Sequence, residues 1–126
     1  LDRSVEFSNT EGLGIIPGSV VPVPSTTANG FSQKVPHIGW NNLILPPGFE
    51  SWEESLLQKV TPGEAVYFVH SFMGVPKNPK HCIANCLYGG IPVPATIGQD
   101  NIYGCQFHPE KSGAVGLKIL RRFLSL

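Results

Sequence analysis

The chain has 126 residues, enough for one domain with a modest core. Apolar residues make up 41% of it, the ordinary share for a globular protein. Nine basic residues balance nine acidic ones, which excludes the broad basic surface of a nucleic-acid binder.

Residues 1–34 are rich in Gly, Pro, Ser and Thr. Their short apolar runs predict a loop, one strand near Ile15 to Val23, and a second loop. Pro22 and Pro24 argue against a central place for that strand. Apolar pieces at 36–40 and 41–45 follow and stop at Pro46-Pro47-Gly48. Residues 49–60 predict a short helix, with Ser51 as N-cap and Glu54 as its capping-box partner, closed by Thr61-Pro62-Gly63. Residues 65–72 read as one apolar and aromatic strand. Residues 81–90 read as a strand running into a Gly89-Gly90 turn. Residues 91–98 follow as a strand whose two prolines place it near an edge. Residues 102–108 have the imperfect alternation of a strand covered on both faces. Residues 113–126 predict a helix with Leu117, Leu120, Leu124 and Phe123 on one side and Lys118, Arg122 and Ser125 on the other. Strands outnumber helices, whereas a complete doubly wound domain alternates them. The chain therefore reads as α/β, half of such a fold, with antiparallel additions and a closing helix.

No apolar run reaches membrane-spanning length, and no basic-then-apolar leader is visible. The chain starts at Leu1 and its only methionine is Met73, so the start is expected to be a truncation or a processed end. Cys82, Cys86 and Cys105 are an odd number of cysteines and read as reduced thiols of an intracellular protein. Cys105 is expected to be a buried structural thiol. His81, Cys82 and Cys86 lack zinc-site spacing, so no metal is expected. Gly12-Leu13-Gly14 lacks the rest of a phosphate loop, and no nucleotide cofactor is implied.

The sharpest motif runs from Gly104 to Ser112, between the last strand and the last helix, with His108-Pro109-Glu110 at its centre. Catalytic groups collect at the carboxyl ends of strands in open α/β sheets. Proline restricts its own φ and the residue before it, making a rigid corner that holds a carboxylate beside an imidazole. A carboxylate on one ring nitrogen orients the ring so that the other can deprotonate a nucleophile. The residues alone also fit a simpler reading, a loop histidine followed by a helix-capping glutamate.

Four segments carry a resemblance: GLGIIPGSV (12–20), VPHIGWNNL (35–43), YFVHSF (67–72) and YGCQFHPEKSG with its helix (103–126). Together they resemble the glutaminase subunits of imidazole glycerol phosphate synthases, within the class I glutamine amidotransferases. The resemblance covers essentially all of residues 1–126. It implies the C-terminal portion of a flavodoxin-like amidotransferase domain. It further implies that His108 and Glu110 are catalytic, that Glu6, Ser71 and Phe72 hold glutamine, and that His37, Trp40, Asn41 and Lys111 face a (β/α)8 synthase partner. Phe72 stands where tyrosine is more usual. The family's nucleophilic cysteine attacks the glutamine amide and releases ammonia for histidine biosynthesis. By the resemblance, that cysteine belongs upstream of Leu1. The implied location is cytoplasmic, or plastid should an upstream transit peptide exist. Two other readings stay open: a non-catalytic remnant or interaction module, and a glutaminase domain of another synthase. The 126 residues alone are expected not to hydrolyse glutamine. They are also expected to be poorly stable, through an exposed apolar edge and an uncovered face.

Overall fold

Strands dominate the computed structural model, which describes residues 1–126. In chain order they are β1 (Arg3–Ser4), β2 (Thr10–Glu11), β3 (Gly18–Pro22), β4 (His37–Asn42), β5 (Ala65–His70), β6 (Phe72–Pro76), β7 (Cys82–Tyr88), β8 (Ile91–Gln99) and β9 (Ile102–Cys105). One helix, α1 (Gly113–Leu124), closes the chain. The strands form three sheets, ordered β2-β1-β3-β6, β4-β5 and β7-β8-β9. Only β1 and β3 run parallel, so the first sheet is mixed. An antiparallel bridge between Ile44 and Asn85 ties the second sheet to the third. No helix is long and apolar enough to cross a membrane.

The single strand expected over 65–72 is two strands in two sheets. Val66, Phe68 and His70 alternate inward along β5. The Ser71 carbonyl then accepts from Val23 N–H at 2.9 Å, which swings the chain onto β3 as β6. The prolines find tolerant positions. β3 and β8 are both inner strands, contrary to the expectation for each. However, β1 pairs only with Ser19 and Val20, and β9 only with Thr96 to Gln99. Pro22, Pro92 and Pro94 thus lie where one side of the strand has no ladder to lose. Gly89 and Gly90 both have positive φ, 60° and 77°, and make the tight β7–β8 hairpin that needs such residues.

The helix expected over 49–60 does not form. The segment winds through turns, with Ser55, Gln58 and Val60 N–H groups bonding carbonyls three residues back. Ser51 caps nothing here. A helix this short is marginal by itself. Ser55 competes with it: its hydroxyl donates to the Trp52 carbonyl at 2.9 Å and accepts from Leu57 N–H at 3.0 Å. Burial fixes the rest. Trp52, Leu56, Leu57 and Val60 enter the core, and Trp52 Nε1 donates to the Ile83 carbonyl at 2.8 Å.

The core joins those side chains to Leu43, Val66, Phe68, Val93, Phe107 and Ile119. Helix α1 meets it on a different side from the one expected. Gly116 and Ile119 are buried, whereas Leu117, Leu120 and Leu124 are 51%, 39% and 83% exposed. Gly116 decides the approach, since a Cβ there would lie 1.8 Å from the Pro109 carbonyl oxygen. The polar residues flank the contact: Lys118 pairs with Glu64 at 3.1 Å, and Arg122 Nε donates to the Ser55 carbonyl at 3.3 Å.

Candidate active site

The corner after β9 is built from backbone bonds outward. His108 N–H donates to the Tyr67 carbonyl on β5 at 3.0 Å. The His108 carbonyl accepts from the Ser112 hydroxyl at 2.6 Å and from Lys111 N–H at 3.0 Å. Ser112 is only 1% exposed, and its Oγ accepts from Tyr67 N–H at 3.0 Å. Ser112 therefore locks the corner to β5 from both sides. It lay in the quoted motif, but its role shows only once β5 is beside it. Phe107 anchors the approach, 2% exposed and edge-on to Phe68 at 5.8 Å.

On this frame His108 Nδ1 and Glu110 Oε1 meet at 2.8 Å. The side chains are 40% and 59% exposed. Glu110's own backbone N–H, and then the His108 ring, hold its carboxyl below the usual carboxylate range. An ionised Glu110 accepts a hydrogen bond from Nδ1–H and leaves Nε2 as the free base nitrogen. This is the base-and-orienter geometry of nucleophilic catalysis.

The chain's own thiols do not complete it. Burial pushes Cys82 and Cys105 up to about 11 and Cys86 up to about 12, far from the thiolate state. Cys105 instead lines a cleft with Val20, Phe72, Pro94 and Gln106. No three His, Cys, Asp or Glu side chains converge as metal ligands.

The family profile for class-I glutamine amidotransferases matches residues 14–125. The chain belongs to this family. Among curated relatives it is 50% identical over 126 residues to "Imidazole glycerol phosphate synthase subunit HisH 1" of Legionella pneumophila (strain Lens). That match covers 100% of this chain and 59% of the relative. A HisH subunit from Geobacillus sp. (strain WCH70) is 46% identical, covering 99% of this chain and 56% of the relative. One from Lactococcus lactis subsp. lactis (strain IL1403) is 36% identical, covering 98% and 55%. The chain thus spans little more than half the length of the relatives it matches. The mixed sheet with its closing helix fits the flavodoxin-like architecture of the class-I amidotransferases.

Other residues of interest in this amidotransferase chain are dispersed. Glu6 is exposed on the turn between β1 and β2, its N–H bonded to Ser4 Oγ at 3.1 Å. Ser71 and Phe72 mark the crossover from β5 to β6, and Phe72 reaches the cleft lined by Cys105 and Gln106. Trp40 is 59% exposed on β4 and edge-on to Tyr67 at 6.1 Å. Lys111 is exposed one residue after Glu110. His37, expected to face the synthase partner, is on β4 and turned inward, only 3% exposed. The alternation of the strand sends its neighbours Ile38 and Trp40 outward instead. Ile38 faces Val69 and Trp40 faces Tyr67 across the β4–β5 ladder, an exposed apolar stripe. Period-two alternation within 37–42 and 65–70 was the signal that would have found Tyr67 and Val69.

Burial first, and then the neighbouring His70, lower the pKa of His37 from 6.5 to about 4. The folded state thus resists a proton that the unfolded chain takes up. This contribution is complete above pH 6.5 and is lost as the pH falls through about 4. Urea unfolding of the 126-residue chain should show stability declining on the order of 3 kcal/mol across that window, beyond the loss from carboxylates. His37→Phe should flatten that part of the profile.

Proposed function

We propose that the polypeptide carrying this chain is the glutaminase subunit of an imidazole glycerol phosphate synthase. It hydrolyses the side-chain amide of glutamine to glutamate and ammonia, and the ammonia serves histidine biosynthesis in a (β/α)8 synthase partner. The carrying observation is the His108 Nδ1–Glu110 Oε1 bond of 2.8 Å, which leaves Nε2 free. His108 deprotonates a cysteine nucleophile, and Glu110 stabilises the imidazolium that forms. The thiolate attacks the amide carbon. His108 returns its proton to the leaving ammonia, and water then releases glutamate from the thioester. The cysteine is none of Cys82, Cys86 or Cys105. On this reading it is supplied by the part of the polypeptide preceding residue 1. Glu6 and the Ser71–Phe72 backbone hold the glutamine. Trp40, Asn41 and Lys111 meet the partner, with Ile38, Tyr67 and Val69 extending that surface. Tyr67 links the two functions, because its carbonyl holds His108 N–H at 3.0 Å. The chemistry requires no cofactor.

The high thiol pKa values favour a second reading for the 126 residues alone, that of a non-catalytic module. Glutamate release separates the two. The 126-residue chain should release none, and the same chain preceded by a HisH nucleophile segment should turn over. Inactivity of the extended chain with the synthase subunit present would overturn the enzymatic reading. Trp40→Ala should weaken binding to the synthase subunit by about 2 kcal/mol or more, roughly thirtyfold, measured by titration calorimetry. Unchanged affinity would remove Trp40 from the interface.

A further inference from the structure

Two buried imidazoles lie outside the His108 site. His37 and His70 are cross-strand partners at the end of the β4–β5 ladder, 3% and 8% exposed. His37 Nδ1 and His70 Nε2 are 2.8 Å apart. His70 Nδ1 lies 2.8 Å from the Phe72 carbonyl oxygen, across the crossover at Ser71. At the other end, Asn41 Nδ2 lies 3.3 Å from His37 Nε2 and 2.8 Å from the Leu87 carbonyl oxygen.

The proton positions follow from the ends. Asn41 Oδ1 accepts from Asn42 N–H at 2.8 Å, so the amide nitrogen is the group turned to His37. His37 Nε2 must then accept, and His37 Nδ1 must donate to His70 Nε2. His70 Nδ1 is left with the one proton that the Phe72 carbonyl requires. Both rings are neutral with the proton on Nδ1, and every donor in the file points the same way. Such a file polarises along its length. It is walled by aromatic rings: Phe68 stacks on His37 at 4.9 Å and Tyr88 lies at 4.2 Å. An apolar pair would fill this space without the desolvation of two imidazoles, so packing alone does not account for them.

We propose that His37 and His70 are positioning residues that transmit the state of Asn41, beside the exposed Trp40 stripe, to the Phe72 carbonyl and so to the backbone that receives glutamine. The part played by glutamine rests on the function proposed above; the hydrogen-bonded file does not. An Asn41 donor holds the Phe72 carbonyl through two rings. Losing that donor frees His37 Nε2 to take a proton and leaves the Phe72 carbonyl as the one remaining hold on the two Nδ1 protons.

Ring-nitrogen NMR of the chain extended with the nucleophile segment tests the file without any assay. At neutral pH both His37 and His70 should show a protonated Nδ1 and a bare Nε2. The opposite tautomer or a charged ring at either position overturns the proposal. Asn41→Asp replaces the donor by an acceptor that draws a proton onto His37 Nε2, and the ring-nitrogen signals of His70 should then shift although the new carboxylate would not touch it. An unchanged His70 would show that the rings do not communicate. In the chain extended with the nucleophile segment, Asn41→Asp should raise the KM for glutamine about tenfold, the value of one misplaced hydrogen bond, and lower kcat less. In a His70→Asn background, whose amide still reaches the Phe72 carbonyl, Asn41→Asp should change KM no further. A KM that ignores Asn41→Asp while turnover is normal overturns the coupling. Absence of turnover in the unsubstituted extended chain counts instead against the glutaminase reading, and leaves the tautomer result to decide the file.

Discussion

His108→Asn should lower glutamine turnover by the extended chain on the order of 10³-fold or more, with little change in KM. Asparagine keeps an amide near the Nδ1 position and can still meet Glu110, but nothing replaces Nε2. The loss therefore isolates the proton-transfer step from the 2.8 Å bond that orients it. Glu110→Gln should cost less, because the amide oxygen can still accept from Nδ1 while the charge opposite the imidazolium is lost. Both side chains are exposed, at 40% and 59%, so stability should change little in either variant. Steady-state kinetics and urea unfolding on the same preparations check both halves. Retained turnover in His108→Asn would take His108 out of the reaction.

Phe68→Ala should destabilise the 126-residue chain by about 3–5 kcal/mol. Phe68 is fully buried on β5. Its ring stacks on His37 at 4.9 Å, lies 5.6 Å from His70 and meets Phe107 edge-on at 5.8 Å. One cavity would therefore loosen three supports at once: the core, the histidine file and the approach to His108. A loss of that size is a large share of the ~5–15 kcal/mol that holds a domain together. Leu117→Ala makes the contrast, since Leu117 is 51% exposed on the outer side of α1. Its effect should be well under that of Phe68→Ala in the same urea midpoints. Equal losses would mean that the outer side of the helix is covered in solution.

The His108–Glu110 corner was the most legible part of this chain. His-Pro-Glu is local, and a proline between two functional groups limits the chain whatever surrounds it. The Gly89-Gly90 hairpin was legible for the same reason, because positive φ at two successive positions calls for glycine. Residues 49–60 were not. Their composition suited a helix, but the Ser55 hydroxyl and the Trp52–Ile83 bond captured backbone and ring groups in another conformation. The buried side of α1 was not legible either. Leucine spacing named an apolar stripe, yet contact went to Gly116 and Ile119, where the absence of a side chain lets the helix approach Pro109.

The sequence by itself determined the His108-Pro109-Glu110 spacing, the tight turns and the strand-rich character, since these depend on neighbours in the chain. Only the tertiary structure decided that His37 faces inward toward His70, that Ser112 locks the corner to β5, and that one apolar run divides between two sheets at Ser71. Those outcomes depend on groups far apart in sequence. They are set by which buried donor finds which acceptor, and no local pattern encodes that.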